Sequence, residues 1–140
     1  MAFVLPDITV RFPGGKKVDA LFGDFTVKTD QPLQDGGDGS APSPFMLFLS
    51  SLATCAGIFV LGYCQSRGLD TAGISLTQSH TFVPEGQGVR LGRVEIQIHV
   101  PPTFPEKHHA TLVRVAEMCA VKKVLENPPE FLVETRVTTG

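Results

Sequence analysis

Between Gly39 and Ser66 the chain carries no charged side chain, and from Phe45 to Cys64 it is almost wholly apolar, interrupted by Ser50, Ser51, Thr54 and Tyr63. A run of this kind must leave water. Ser43 offers a capping oxygen, and Pro44 suits the first helical position because it has no N–H to lose. Arg67 and Gly68 then supply a cation for the last turn and a residue that tolerates positive φ. The run therefore predicts one long helix over 44–67, apolar on nearly all sides. Such a helix is either the centre of a globular core or a membrane span. Mid-length Ser50, Ser51, Thr54 and Cys55, an acidic approach (Asp35, Asp38) and a single flanking cation, Arg67, favour the core and argue against a membrane. Ser50, Ala53 and Gly57 recur at helical spacing as a stripe of small side chains, where a second helix is expected to lie.

Length, 140 residues, suits a single domain over 1–140. A net charge of −2 leaves no electrostatic footprint for nucleic acid or an anionic membrane surface. The start of the sequence lacks the basic region and long apolar run of a secretory signal. Three cysteines without close spacing make neither a disulfide framework nor a zinc site. A cytoplasmic protein with chemically active thiols is the expectation.

Around the long helix, residues 8–12, 18–22 and 25–29 alternate as strands, the last two flanking the hairpin signal Gly23-Asp24. Residues 74–83 and 89–100 read as an antiparallel pair across the turn at 84–88. In the second of these, Val94, Ile96, Ile98 and Val100 alternate with Glu95, Gln97 and His99, so one face is buried. Thr103 is expected to cap a second helix with Pro105 and Glu106 in its early turns, running to about Cys119 and either continuing or bending toward Leu125 before Asn127-Pro128-Pro129 ends it. Residues 131–137 would close the domain as a strand. The order βββ-α-ββ-α-β is an α+β fold, two helices against a mostly antiparallel sheet.

Several chemistries are excluded on spacing. Gly36-Gly37-Asp38-Gly39 fits neither the P-loop nor the dinucleotide fingerprint. Of His80, His99, His108 and His109 only the last two are neighbours, and adjacent helical residues point about 100° apart, so no metal site is read. Serine and threonine carry no hydrolase signature. Cysteine is what remains. Cys64, nine residues after Cys55, lies about 13 Å further along the same helix and cannot pair with it. Cys119 sits in the second helix and would face Cys55 if the helices cross at the small-residue stripe. Lys122 and Lys123 follow at i+3 and i+4, placed to hold a thiolate if that helix continues. Read from the residues alone, buried inert cysteines are favoured over a reactive pair, since free cysteine is among the most buried residue types.

Ser43-Pro44, Leu47 and Leu52-Ala53-Thr54-Cys55-Ala56 on the first helix, with Met118-Cys119-Ala120-Val121 on the second, resemble the superfamily of osmotically inducible protein C (OsmC) and organic hydroperoxide resistance (Ohr) proteins over nearly the whole chain. The resemblance implies an OsmC-like intertwined homodimer with sites near the subunit interface, acting as a thiol-dependent peroxidase on organic hydroperoxides. Cys55 matches the peroxidatic cysteine, whose thiolate becomes a sulfenic acid. Cys119 matches the resolving cysteine, which closes a disulfide that an external dithiol, a lipoyl group among the candidates, reduces without any bound cofactor. Two departures stand out. Phe45, followed by Met46, occupies the place where well-characterised members carry a glutamate after the proline. The family's arginine in the N-terminal β-region has Arg11, Lys16 and Lys17 as its nearest counterparts, all three open. Phe45, Phe48 and Phe59 are candidates for the apolar wall that receives the alkyl group, and equally for core. The rival readings are a non-catalytic small-molecule-binding or redox-sensing protein of the same fold, and a small membrane-anchored protein.

Overall fold

A computed structural model describes residues 4–139. The chain divides into two compact units, Met1–Ser50 and Ser51–Gly140, the boundary falling inside the long helix.

In the first unit, strands β1 (Thr9–Gly14), β2 (Lys17–Phe22) and β3 (Phe25–Thr29) form an antiparallel meander in the order β1-β2-β3. Phe22 pairs with Phe25 across the Gly23-Asp24 turn, as the hairpin signal requires. The Gly- and Asp-rich stretch that follows is tied to one buried carboxylate. Asp30 accepts hydrogen bonds from the Gln31 N–H at 2.8 Å, the Ser40 hydroxyl at 2.6 Å and the Ser40 N–H at 3.1 Å. The Ser40 hydroxyl first of all, with these backbone donors, holds its pKa down to about 2 against the opposing effect of burial. Gly37 threads so closely that a Cβ there would lie 2.0 Å from the Gln31 carbonyl oxygen.

Helix α1 (Pro44–Ser66) starts and stops where its caps dictate. Ser43 Oγ accepts the Met46 N–H at 3.3 Å. At the far end Gly68, at φ 66°, lets the Leu69 N–H reach the Cys64 carbonyl at 2.8 Å and its own N–H reach that of Gln65 at 3.3 Å, a Schellman closure. By length and apolarity this helix is sufficient to cross a membrane.

In the second unit, β4 (Ser75–Glu85) and β5 (Gly88–His99) make a two-stranded antiparallel sheet. A bulge between Thr81 and Phe82 interrupts the register. Leu52, Ala56, Val60 and Cys64 form a fully buried row at four-residue spacing along α1. Val60 and Cys64 pack with Phe104 and Leu112, bordered by Leu69, Ile74, Leu76, Ile98 and Val100. After a single 3-10 turn at Glu106–His108 come two short helices, α2 (His109–Ala116) and α3 (Ala120–Glu126).

The α+β class, antiparallel pairing and long first helix match the sequence reading; four of its details do not. The second helix is not continuous: it breaks at 117–119, giving three helices, and Cys119 lies in the break. Thr103 does not cap it, because the chain first turns through Pro101 to Phe104 and the 3-10 segment. Residues 131–137 form no strand; Phe131 is 82% and Val137 95% exposed, with no sheet edge paired to them among the described residues. The small-residue stripe is also not the helix contact. A Cβ on Gly57 would meet nothing within 4 Å, whereas Leu112 of α2 packs on the Val60–Cys64 row.

Candidate active site

Cys55 is half-buried on α1, one turn after Leu52. Cys119 is 3% exposed and serves as the N-cap of α3: with φ −50° and ψ 123° it leaves the helical path, and its sulfur accepts the Lys122 N–H at 3.4 Å. The same sulfur lies 4.0 Å from the Leu52 carbonyl oxygen, which fixes it beside the turn of α1 that carries Cys55. Both thiols are free, and the Cys119 S–H points to the Leu52 carbonyl oxygen.

The two sulfurs therefore differ in acidity. The Val121 N–H, and after it the Cys119 thiol and the Ala120 N–H, hold the Cys55 thiol below its usual range, against the opposing effect of partial burial. Burial pushes Cys119 up, and the neighbouring Cys55 reinforces this, although the Lys122 and Val121 N–H groups oppose it. A thiolate on Cys55 thus faces the N–H groups of a helix's first turn and a neutral thiol. Cys64 is wholly buried in the apolar core, which raises its pKa and leaves it inert.

Beside this pair lies a half-open cavity of about 480 Å³. Its floor is Leu52, Ala56, Leu112 and Cys119, all buried. One wall is the inward row of β5, Val94, Ile96 and Ile98, continued by Val100. Exposed His109, Val113, Glu117, Lys122 and Leu125 form the mouth. Cys55 is not part of the wall.

Of the residues singled out in the sequence, Cys55 and Cys119 come together. Phe45, Phe48 and Phe59 do not line the cavity. Phe45 and Phe48 belong to the first unit, their rings tilted by 42° to each other with centroids 5.8 Å apart. Arg11, Lys16 and Lys17 also belong to the first unit, where Lys17 is ion-paired with Asp38 at 2.5 Å. Lys122 does face a sulfur, through its backbone N–H; its ammonium lies 3.9 Å from Glu126. The backbone donors of Ala120 and Val121 and the capping role of Cys119 were not foreseen. No side-chain pattern announces a backbone donor, and cysteine is not among the usual N-caps. Among the described residues no cluster of His, Cys, Asp or Glu is arranged to hold a metal.

The sequence model of the family described as OsmC-like protein matches residues 37–134. Solved structures share the fold. A presumed osmotic-stress-induced and detoxification-response protein of Psychrobacter arcticus superposes with a TM-score of 0.70 at 22% identity, covering 88% of each chain. An organic hydroperoxide resistance protein OsmC of Legionella pneumophila gives 0.62 at 19% identity, over 89% of this chain and 91% of that one. An OsmC-like protein of Mycoplasma pneumoniae gives 0.67 at 14% identity over 88% of both. No curated protein matches the chain significantly.

Proposed function

The chain belongs to the OsmC-like protein family, and from that premise we propose that it is a thiol-dependent peroxidase reducing organic hydroperoxides as a cytoplasmic homodimer. The observation that carries the proposal is the paired asymmetry of its thiols: Cys55, acidified by the Val121 and Ala120 N–H groups and by the Cys119 thiol, against a buried, neutral Cys119 in contact with it. A thiolate, not a thiol, attacks an O–O bond. The names of structural relatives that are organic hydroperoxide resistance proteins support the same chemistry.

In this reading Cys55 Sγ attacks the distal oxygen of R–O–OH. The S–O bond forms as the O–O bond breaks, and the alkoxide takes up a proton and leaves as ROH. Cys55 is then a sulfenic acid. Cys119 gives up its proton, its sulfur attacks the sulfenic sulfur, and water departs, leaving a Cys55–Cys119 disulfide. An external dithiol supplies the two electrons that restore both thiols. The N–H pair that holds the first thiolate needs no carboxylate to orient it, which fits Phe45 in the place of the family's glutamate.

The test is steady-state hydroperoxide consumption with a dithiol reductant. Turnover by the wild type that Cys55→Ser abolishes and Cys119→Ser stalls after one equivalent supports the proposal. Wild-type protein that consumes no hydroperoxide with any dithiol, or Cys55→Ser that matches it, overturns the proposal in favour of a binding or redox-sensing protein.

A further inference from the structure

Helix α3 depends on the cysteine pair for its start. It has seven residues, none of them buried, and only Val121 is half-covered. A helix this short has little stability of its own, and the ion pair of Lys122 with Glu126 at 3.9 Å is exposed and contributes little. We propose that α3 is a redox-sensitive lid: the two reduced cysteines order it, and the Cys55–Cys119 disulfide releases it, loosening the rim of the cavity in the oxidised protein alone. The inference rests on the disulfide step of the function proposed above and goes beyond it to the effect of that step on the fold.

In the reduced protein the first turn of α3 finds its acceptors on the two cysteines. Cys119 Sγ accepts the Lys122 N–H at 3.4 Å, and the Cys119 carbonyl accepts that of Lys123 at 3.2 Å. Buried Cys119 also lies with its sulfur 4.0 Å from the Leu52 carbonyl oxygen, so the cap is anchored to α1. The Val121 N–H, followed by the Cys119 thiol and the Ala120 N–H, favours a thiolate on Cys55. By linkage the thiolate stabilises those N–H groups as much as they stabilise it. A negative charge then stands at the start of α3, the end at which a helix favours one.

Oxidation takes these supports away. The hydroperoxide accepts two electrons and two protons and leaves as ROH and water, while a bond joins the two sulfurs. Cys55 then carries no charge for the Val121 and Ala120 N–H groups. Cys119 has lost the proton that points to Leu52, and its sulfur passes from non-bonded contact to bonding distance of Cys55, a shift that the capping geometry must absorb. Burial already fixes Cys119 in the reduced state, so the covalent link adds no order to residues 120–126, whereas their first turn loses the charge that held it. Lys122 and Leu125 line the cavity beside Cys119, so its rim loosens with the helix.

Amide hydrogen exchange reads this helix directly. Wild-type protein is followed reduced, after treatment with an organic hydroperoxide and after treatment with diamide, with mass mapping of the thiols in each sample. In the disulfide-bonded protein the amides of 122–127 should exchange about two- to thirtyfold faster than in the reduced protein, the span lost with an N-cap, while β4 stays unchanged. Reduced Cys119→Ala should already exchange fast, and Cys119→Ser, whose oxygen still caps, should recover protection. Equal or slower exchange in the disulfide-bonded wild type overturns the proposal, as does a Cys119→Ala that matches the reduced wild type. If hydroperoxide leaves both thiols free while diamide closes the disulfide and loosens α3, the peroxidase reading fails and the lid stands. A disulfide that neither oxidant closes overturns both.

Discussion

A thiol sulfur is a weak hydrogen-bond acceptor, yet Cys119 caps α3 and its thiol also helps to lower the pKa of Cys55, so one residue ties local helix geometry to the acidity of another. Removing that thiol should therefore shift Cys55 and not merely loosen the fold. Measured as alkylation rate against pH, wild-type Cys55 should titrate below an ordinary cysteine, because the Val121 N–H, the Cys119 thiol and the Ala120 N–H favour its thiolate. Cys119→Ala should move the midpoint upward, and Cys119→Ser, whose hydroxyl still donates, should return it most of the way. An unchanged midpoint in Cys119→Ala would assign the acidity to the Ala120 and Val121 N–H groups alone. Asp30 carries a second prediction with the sign of a depressed carboxyl: its contribution to stability is complete above the unfolded carboxylate pKa of about 3.9 and is lost as pH falls through about 2. Asp30→Asn should accordingly lower the thermal midpoint at pH 7, and the deficit relative to wild type should shrink as pH approaches 2. At this scale the thiols were legible in the sequence as residues, while what tunes Cys55 was not. The Ala120 and Val121 groups that acidify it belong to the backbone, and Ala and Val at those positions signal nothing.

Elements with local punctuation declared themselves. Ser43-Pro44 and Arg67-Gly68 bound α1 to within one residue of its observed span, and the alternation of Val94, Ile96, Ile98 and Val100 marks the inward row of β5 that became the cavity wall. The break between α2 and α3 has no such marker, since Glu117-Met118-Cys119 contains neither Gly nor Pro. Residues 131–137 illustrate the converse: alternating β-formers state that a segment can pair, but a strand also needs an edge, which no local pattern supplies. Gly92 shows how the bulge in the hairpin is held. A Cβ there would lie 2.8 Å from Cγ1 and 3.0 Å from Cγ2 of Val83 on β4, a β-branched side chain with little rotamer freedom. Gly92→Ala should cost about 1–3 kcal/mol by overpacking, read as a lower denaturant midpoint with unchanged slope. A neutral substitution would mean that Val83 finds a second rotamer at no cost.

The whole molecule presents more surface than a chain of its mass should. Its accessible area is 10981 Å² for 15.1 kDa, against about 7,100 Å² expected of one folded monomer and about 8,500 Å² even for two separately folded pieces of the same total mass. The excess is therefore not a matter of how the two units are arranged. Much of it is apolar: only 22% of the most apolar 18-residue window of α1 is buried, with Phe45 47%, Met46 48% and Ile58 58% exposed. Phe131, Leu132 and Val133 are exposed at 82%, 84% and 92%. Isolated apolar residues on a surface need no cover, but a long helix flank together with a chain end of β-formers does. A surplus above about 2,000 Å² falls in the range buried by obligate homodimers, and a second copy is the partner proposed above. The expected outcome is a dimer of about 30 kDa, twice the chain's 15.1 kDa, in sedimentation at micromolar concentration. Dilution should unfold the protein rather than release a stable monomer. Replacing Ile58 with Glu, which places a charge on the exposed flank of α1, should weaken assembly and lower the thermal midpoint together. A folded, monomeric wild type with a sharp thermal transition that does not depend on concentration would refute the dimer.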